Sequence, residues 1–201
     1  GVIEAAMKSA KKHGTKISYD LNYRPSLWSA IGGQAKAQEV NRKLAPYVDV
    51  MIGNEEDFTE SLGFKVEGLS SAFNEIDHSA FGSMVQEVVE SFPNLEVIAT
   101  TLRKVHSASI NDWSAIVWSK ETGLLNSKLY EKVEVLDRVG SGDSFASGLI
   151  FGLLDGRSLQ ESLELGVAHG GLAMTTPGDT TMASLAEVEK LARGGGARVE
   201  R

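Results

Sequence analysis

The run Asp137-Arg138-Val139-Gly140-Ser141-Gly142-Asp143-Ser144-Phe145-Ala146-Ser147-Gly148 constrains this chain most. A β-branched run, Val133 to Val135, precedes it, and an apolar run, Phe145 to Leu154, follows it. Strand, glycine turn and helix start point bare backbone N–H groups at an anion. Gly140 and Gly142 permit a tight turn and close approach of a ligand to the backbone. One carboxylate, Asp143, stands at the mouth of this cradle. A carboxylate there repels an anionic ligand, so it suits a base that takes a proton from an attacking hydroxyl. Read alone, the same residues are equally a turn at Gly142 and a helix N-cap at Asp143.

The chain has 201 residues, enough for one α/β domain with a sizeable core. Its net charge of -7 argues against a nucleic-acid surface or an anionic membrane surface. No apolar run reaches membrane-spanning length. There is no cysteine, which removes disulfides, thiolate zinc sites and cysteine nucleophiles and fits a cytoplasmic setting. No His/Asp/Glu cluster has the spacing of a zinc site. The chain opens on Gly1 with a helical pattern already under way, so it reads as part of something longer.

Hydrophobic periodicity predicts helices over Val2–Lys12, Gln34–Tyr47, Glu55–Leu62 and Ser79–Ser91. Strands are expected at Lys16–Leu21, Val48–Ile52 and Leu95–Thr100. Asn22–Gly33 reads as a loop and Gly63–His78 as a surface excursion. His106–Ile110, Ala115–Trp118 and Leu124–Tyr130 read as short antiparallel strands, with turns at Asn111-Asp112 and Thr122-Gly123. Two helices follow the glycine turn, the second opened by the capping box Ser158-Leu159-Gln160-Glu161; Ser184-Leu185-Ala186-Glu187 opens a last one likewise. Residues 1–193 form one domain on this reading, and 194–201 a flexible tail.

Alternating strands and helices imply an α/β fold with a mostly parallel sheet, whose ligands sit beyond the carboxyl ends of the strands. Four polar clusters occupy such ends: Asp20 to Arg24, Gly53 to Glu56, Thr100 to Arg103, and Asp137 to Asp143. They are expected along one sheet edge. Arg24 is either a solvated arginine or a bidentate partner for a carboxylate or phosphate. Trp28 either covers the site or fills core. Asn54 to Asp57 is either an acid-favoured helix N-terminus or an oxygen shell for Mg²⁺. A hydrolase based on Ser141 or Ser144 with His106 or His169 finds no support, because no G-x-S-x-G elbow is present.

These segments resemble the ribokinase/PfkB family of carbohydrate kinases. D-R-V-G-S-G-D-S-F-A-S-G is similar to that family's C-terminal signature, D-T-x-G-A-G-D-x-F-x-x-G. Asn54-Glu55-Glu56-Asp57 resembles its N-x-x-E magnesium motif. Asp20-x-Asn22-Tyr23-Arg24-Pro25-x-Leu27-Trp28 resembles D-x-N-Y-R-x-x-L-W of the 2-keto-3-deoxygluconate kinase and fructokinase branch. The likeness runs from about Gly1 to Leu191. It implies a ribokinase-like three-layer α/β/α fold, with the N-terminal part and lid absent. It also implies phosphoryl transfer from MgATP to a sugar hydroxyl, most closely that of 2-keto-3-deoxygluconate. The alternatives are a fructokinase, another sugar kinase of the family, or a nucleotide-binding fragment without activity.

Carried over by the resemblance, Asp143 is the general base, and the amides of Gly140, Ser141 and Gly142 stabilise the transferring phosphate. Asn22 and Arg24 bind substrate, Arg24 through a sugar-acid carboxylate. Asn54, Thr101, Arg103, Ala168 and Gly171 belong to the ATP side, with Pro177-Gly178-Asp179 turning near it, and His169 is a helix-packing or nucleotide-edge residue. Asn54, Glu55 and Asp57 act on Mg²⁺, Asp57 through water, and Asp137 on a monovalent cation such as K⁺. The implied partners are a sugar or sugar acid and ATP, with a homo-oligomer expected, and no nucleic acid or membrane. Three positions depart from the family pattern. Asp57 is one methylene shorter than glutamate, Arg103 stands where glycine is usual, and Arg138 where threonine is commoner.

Overall fold

The computed structural model describes residues 1–64 and 78–195, apart from the side chains of Glu55 and residues 78–80. The expected tail from residue 196 onward and most of the Gly63–His78 excursion lie outside the described residues. The chain divides into two compact units. The first is built on the chain up to Thr100 together with Trp118–Leu124, and the second on Thr101–Val117 and the chain from Leu125 onward.

In the first unit the elements are α1 (Val2–Lys12), β1 (Ser18–Asp20), α2 (Pro25–Ser29), α3 (Gly33–Leu44), a 3-10 turn (Ala45–Tyr47), β2 (Val50–Gly53), α4 (Glu55–Leu62), α5 (His78–Ser91) and the start of β3 (Val97–Ser107). β1, β2 and β3 run parallel, with Asp20 opposite Ile52 and Gly53 opposite Thr100. That register brings the ends at Asp20, Gly53 and Thr100 to one edge, as the sequence predicts for these clusters. Met51, Phe58, Leu62, Leu95 and Ile98 are fully buried between sheet and helices. Burying one such side chain contributes about 1.5–3 kcal/mol. Opposite the site edge, Asp49 accepts from Lys11 Nζ at 2.7 Å and from the Ile17 amide at 2.8 Å, which ties α1 to the entry of β1.

The second unit holds the rest of β3, most of β4 (Ile110–Ser119), the end of β5 (Gly123–Asn126), β6 (Tyr130–Glu134), α6 (Ser141–Leu154), α7 (Leu159–Met174) and α8 (Leu185–Ala192). β4 and β6 are antiparallel, and Ile110 faces Glu134. The ladder order is β1-β2-β3-β4-β5, with β6 on β4, a mixed sheet flanked by helices. Phe145, Leu149 and Leu163 are fully buried at the α6 and α7 packing, and the Trp113 indole donates to the Val167 carbonyl at 3.0 Å. Ser158 and Ser184 form the expected capping boxes of α7 and α8.

Several local expectations need correcting: the expected strand His106–Ile110 contains the reversal between β3 and β4, and the expected strand Leu124–Tyr130 covers most of β5, a break at 127–129 and the first residue of β6. Asn111-Asp112 is not a turn: both residues are buried inside β4, and the reversal falls at Ala108-Ser109. Asp112 is satisfied there by the Lys132 amide at 2.8 Å and by His106 Nε2 at 2.7 Å, so its polarity did not mark a loop. Within the expected Asn22–Gly33 loop, Pro25 at the first helical position starts the five-residue α2. A helix that short carries no periodicity to read.

Candidate functional site

In the second unit, the chain leaving β6 is fastened before it turns. The amides of Leu136 and Asp137 both donate to the Met174 carbonyl, at 2.8 and 3.3 Å. The Asp137 carboxylate then accepts from the Val139 amide at 2.9 Å through one oxygen and from the Gly178 amide at 3.2 Å through the other. One carboxylate thus pins the glycine loop to the Pro177–Asp179 turn. Gly140 follows at φ +86°, in the left-handed region, and caps α6 without a side-chain hydrogen bond. A Cβ on Gly140 would lie 2.0 Å from the Asp179 carbonyl oxygen, so only glycine fits there. The sequence named this turn but not its contact with Gly140, because a backbone carbonyl leaves no residue-type signal.

The amides of Ser141, Gly142 and Asp143 open α6 and have no carbonyl within the helix to meet. Nothing lies within 4 Å of where a Cβ on Gly142 would stand, so the approach is open. Asp143 is exposed at the third helical position, and no hydrogen bond holds its carboxylate among the described residues. The N-cap is Gly140, so Asp143 does not serve as the cap. The result is an uncapped, positively polarised helix end with a free carboxylate beside it.

Nearby, the Ser147 hydroxyl donates to the Ser144 carbonyl at 2.9 Å and lies 3.0 Å from His169 Nδ1. With its hydrogen committed, Ser147 accepts from Nδ1–H, which fixes the imidazole tautomer. Burial pushes the His169 pKa down, against the opposing Ser144 carbonyl. His169 therefore packs α6 against α7. Ala168 is fully buried and packs with Leu165, Val188 and Ala192. Gly171 is buried too, with the Trp113 indole at 3.8 Å from a Cβ placed there. Arg103 is exposed and Thr101 half-buried on β3. Arg138, at the threonine position of the signature, donates to the Ala108 carbonyl at the β3–β4 turn.

In the first unit, Asn22 stands at φ +39°, a left-handed conformation for a residue with a side chain. Its amide donates to Asp20 Oδ1 at 3.1 Å. Arg24 is exposed, and its guanidinium meets the Tyr23 carbonyl at 3.0 Å. Trp28 is half-buried on α2. Asn54 and Asp57 form a capping box on α4: Asn54 Oδ1 accepts from the Asp57 amide at 2.8 Å, and Asp57 Oδ2 accepts from the Asn54 amide at 2.9 Å. Asp57 Oδ1 accepts from the Tyr23 amide at 2.8 Å. The Glu55 side chain lies outside the described residues. Thr100, buried, donates to the Gly53 carbonyl and closes the β2–β3 end.

Among the described residues no group of three or more His, Asp or Glu side chains is arranged to hold a metal ion. Asn54 and Asp57 offer oxygen donors only, already engaged with backbone amides. Oxygens so engaged do not form a direct metal cage, and a hard ion beside them would keep its own waters. No helix among the described residues is long and apolar enough to cross a membrane.

A family model described as pfkB family carbohydrate kinase matches residues 2–186. The crystal structure of 2-dehydro-3-deoxygluconokinase from Thermotoga maritima is 38% identical with a TM-score of 0.85, covering 96% of this chain and 55% of that one. The 2-dehydro-3-deoxygalactonokinase of Haloferax volcanii is 26% identical over 195 residues, 97% of this chain and 52% of its own length. An Escherichia coli protein assigned as a ribokinase II, solved with ATP and Mg²⁺, shares the fold at 18% identity and a TM-score of 0.67, covering 96% of this chain and 53% of that one. The chain spans about half the length of these relatives. By its signature loop, its fold and the family match over nearly its whole length, this chain belongs to the pfkB family of carbohydrate kinases.

Proposed function

We propose that the chain is the nucleotide-handling part of an ATP-dependent kinase for a keto-deoxy sugar acid, 2-keto-3-deoxygluconate, forming its 6-phosphate. One observation carries this reading: the free Asp143 carboxylate beside the uncapped start of α6. In the reaction, the sugar hydroxyl oxygen attacks the γ-phosphorus and the bond to the bridging oxygen of ADP breaks. Asp143 takes the hydroxyl proton. The amides of Gly140, Ser141 and Gly142 stabilise charge on the transferring phosphoryl group. Asp137 keeps these amides in place through its two backbone bonds. A K⁺ ion, if used, would take the remaining lone pairs of the Asp137 carboxylate.

Bound Mg²⁺ supplies charge neutralisation of the phosphates. Asn54 and Glu55 would hold it through its waters. Thr101 and Arg103 would serve the nucleotide from β3, while Ala168 and Gly171 would shape that side as packing residues. Arg24, with Asn22, would bind the carboxylate of the sugar acid, since guanidinium takes a carboxylate in a fork. The Thermotoga relative's activity supports this substrate class. ATP as co-substrate and a chain without cysteine fit the cytoplasm, and Leu27 and Ile31, both well exposed, fit a self-associating protein.

The test is steady-state phosphorylation of a sugar panel by a chain extended N-terminally to the length of its relatives. The expected result is a clear preference for 2-keto-3-deoxygluconate. A preference for fructose or ribose would remove the substrate assignment and leave the kinase. No ATP-dependent turnover on any sugar would remove both.

A further inference from the structure

We propose that Asp57 is a positioning residue that locks the loop carrying Asn22 and Arg24 to the loop carrying Asn54, and does not act in a magnesium shell. The residue is buried, 6% exposed, and its carboxylate bridges the chain after β1 and the chain after β2. One oxygen accepts from the Tyr23 amide at 2.8 Å and the other from the Asn54 amide at 2.9 Å. Each oxygen is therefore engaged by a different chain segment, in charge-assisted bonds. The Asp57 side chain also lies close against the end of β2. A Cβ on Gly53 would stand 3.1 Å from Asp57 Cβ and 3.3 Å from a Leu21 methyl. Gly53 thus lets the short aspartate sit against the backbone, at the depth where both amides lie in reach.

A second, independent feature points the same way. Asn22 holds a left-handed φ of +39° next to Tyr23. A non-glycine residue keeps such a conformation only where its surroundings over-determine it. Two carboxylates do so here, Asp20 at the Asn22 amide and Asp57 at the Tyr23 amide. Release of the Tyr23 amide would free the residue just before Arg24. Glutamate, the family's residue at this position, carries one more methylene, so its carboxylate would stand further from α4 than the depth at which Asp57 meets both amides. That Arg24 serves a sugar acid rests on the function proposed above; the lock between the two loops does not.

The test is residue-resolved amide hydrogen exchange on the chain as it stands, comparing wild type, Asp57→Asn and Asp57→Glu, with amides of α3 and β3 as internal controls. Asp57→Asn should accelerate exchange at Tyr23 and Asn54 by roughly 10- to 100-fold, as expected when a bond to a charged acceptor is lost. Asp57→Glu, which keeps the charge, should still release the Tyr23 amide. In parallel, the Mg²⁺ concentration giving half-maximal ATP binding should follow protection of the Asn54 amide, unchanged where that amide stays protected and raised equally in any variant that releases it, whether or not residue 57 carries a carboxylate. Unchanged protection at both amides would overturn the proposal, as would a large rise in the Mg²⁺ requirement of Asp57→Asn that Asp57→Glu reverses while the Asn54 amide stays released. If Asp57→Asn unfolds as a whole, Asp57→Glu decides alone. A wild-type chain that binds no ATP would refute the nucleotide reading, and the exchange data would still decide Asp57. In the full-length enzyme, Asp57→Asn should raise KM for the sugar acid by ~10-fold and KM for ATP by much less, because Asn54 keeps its side-chain bond to the residue 57 amide while Tyr23 loses its acceptor.

Discussion

Gly140 and Gly142, separated by a single residue, should respond to alanine with opposite signs. At Gly140 the left-handed φ of +86° costs a side-chain-bearing residue about 1–2 kcal/mol. The new Cβ would also stand 2.0 Å from the Asp179 carbonyl oxygen, which forces the turn and the loop apart. Such overpacking costs a further ~1–3 kcal/mol, so Gly140→Ala should lose about 2–5 kcal/mol. For a chain of this size that is a fall in Tm of roughly 4–20 °C. Gly142 instead lies inside the first turn of α6 with nothing near its absent Cβ. Alanine there gains about 0.5–1 kcal/mol of helix stability, or roughly 1–4 °C. Yet its methyl projects into the open approach to the helix N-terminus. Gly142→Ala should therefore be more stable than wild type and bind pyrophosphate or ADP more weakly. Thermal unfolding followed by calorimetric titration with pyrophosphate reads both quantities. A Gly140→Ala variant as stable as wild type would refute the close contact with Asp179. A Gly142→Ala variant with unimpaired pyrophosphate binding would refute the anion site.

Further outcomes follow from the same structure. In the full-length enzyme Asp143→Asn should leave ATP binding nearly intact and reduce kcat by roughly 10²–10⁴, the range for a lost general base; a change of a few-fold would refute that role. Arg24→Ala should raise KM for the sugar acid far more than for a neutral sugar, and equal losses would make Arg24 structural. The chain alone should show little turnover and self-associate with concentration, because phosphoryl transfer depends on positioning both substrates and, among the described residues, β1 ends the sheet unpaired on one side. Coupled-assay rates near full-length values, or a stable monomer by light scattering, would contradict this. Stability should fall in acid. Lys43 and Lys8 hold Glu4 down to about 2, and hydroxyl and amide donors of Ser158 and Ser184 hold Glu161 and Glu187 below the carboxylate range. Lowered folded-state values mean that the unfolded chain binds more protons as pH falls. Stability should thus begin to fall below about pH 6.5, where the depressed His169 pKa lets the unfolded chain take up a proton first, and fall further from about pH 5 toward pH 2, as urea midpoints across that range would show. A midpoint that rises on acidification would contradict it.

The parts of the fold legible in the sequence are those with strong local chemistry. The capping boxes at Ser158 and Ser184, the helix Glu55–Leu62 and the glycine turn before α6 all stand where their residues predict. The Asn111-Asp112 error has a physical origin. Asp112 is polar because it binds His106 and the Lys132 amide within the sheet, and composition does not separate that role from a turn. The site was legible by residue type and less so by partner. Asp137 and Asp57 were both marked as acids fit for cations, and the structure shows each bridging two backbone amides. Backbone partners leave no trace in a sequence, which is why residue type alone does not mark the loop-locking role. Ala168 and Gly171 were marked for the nucleotide side, and both are buried packing positions.

The most direct measurement is ³¹P NMR of 2-keto-3-deoxygluconate and MgATP mixed with the chain extended to the length of its relatives, run beside its Asp143→Asn variant. A new phosphomonoester resonance should grow together with ADP in the first sample and be nearly absent from the second. ADP appearing with inorganic phosphate alone, or equal phosphomonoester in both samples, would contradict sugar phosphorylation through Asp143.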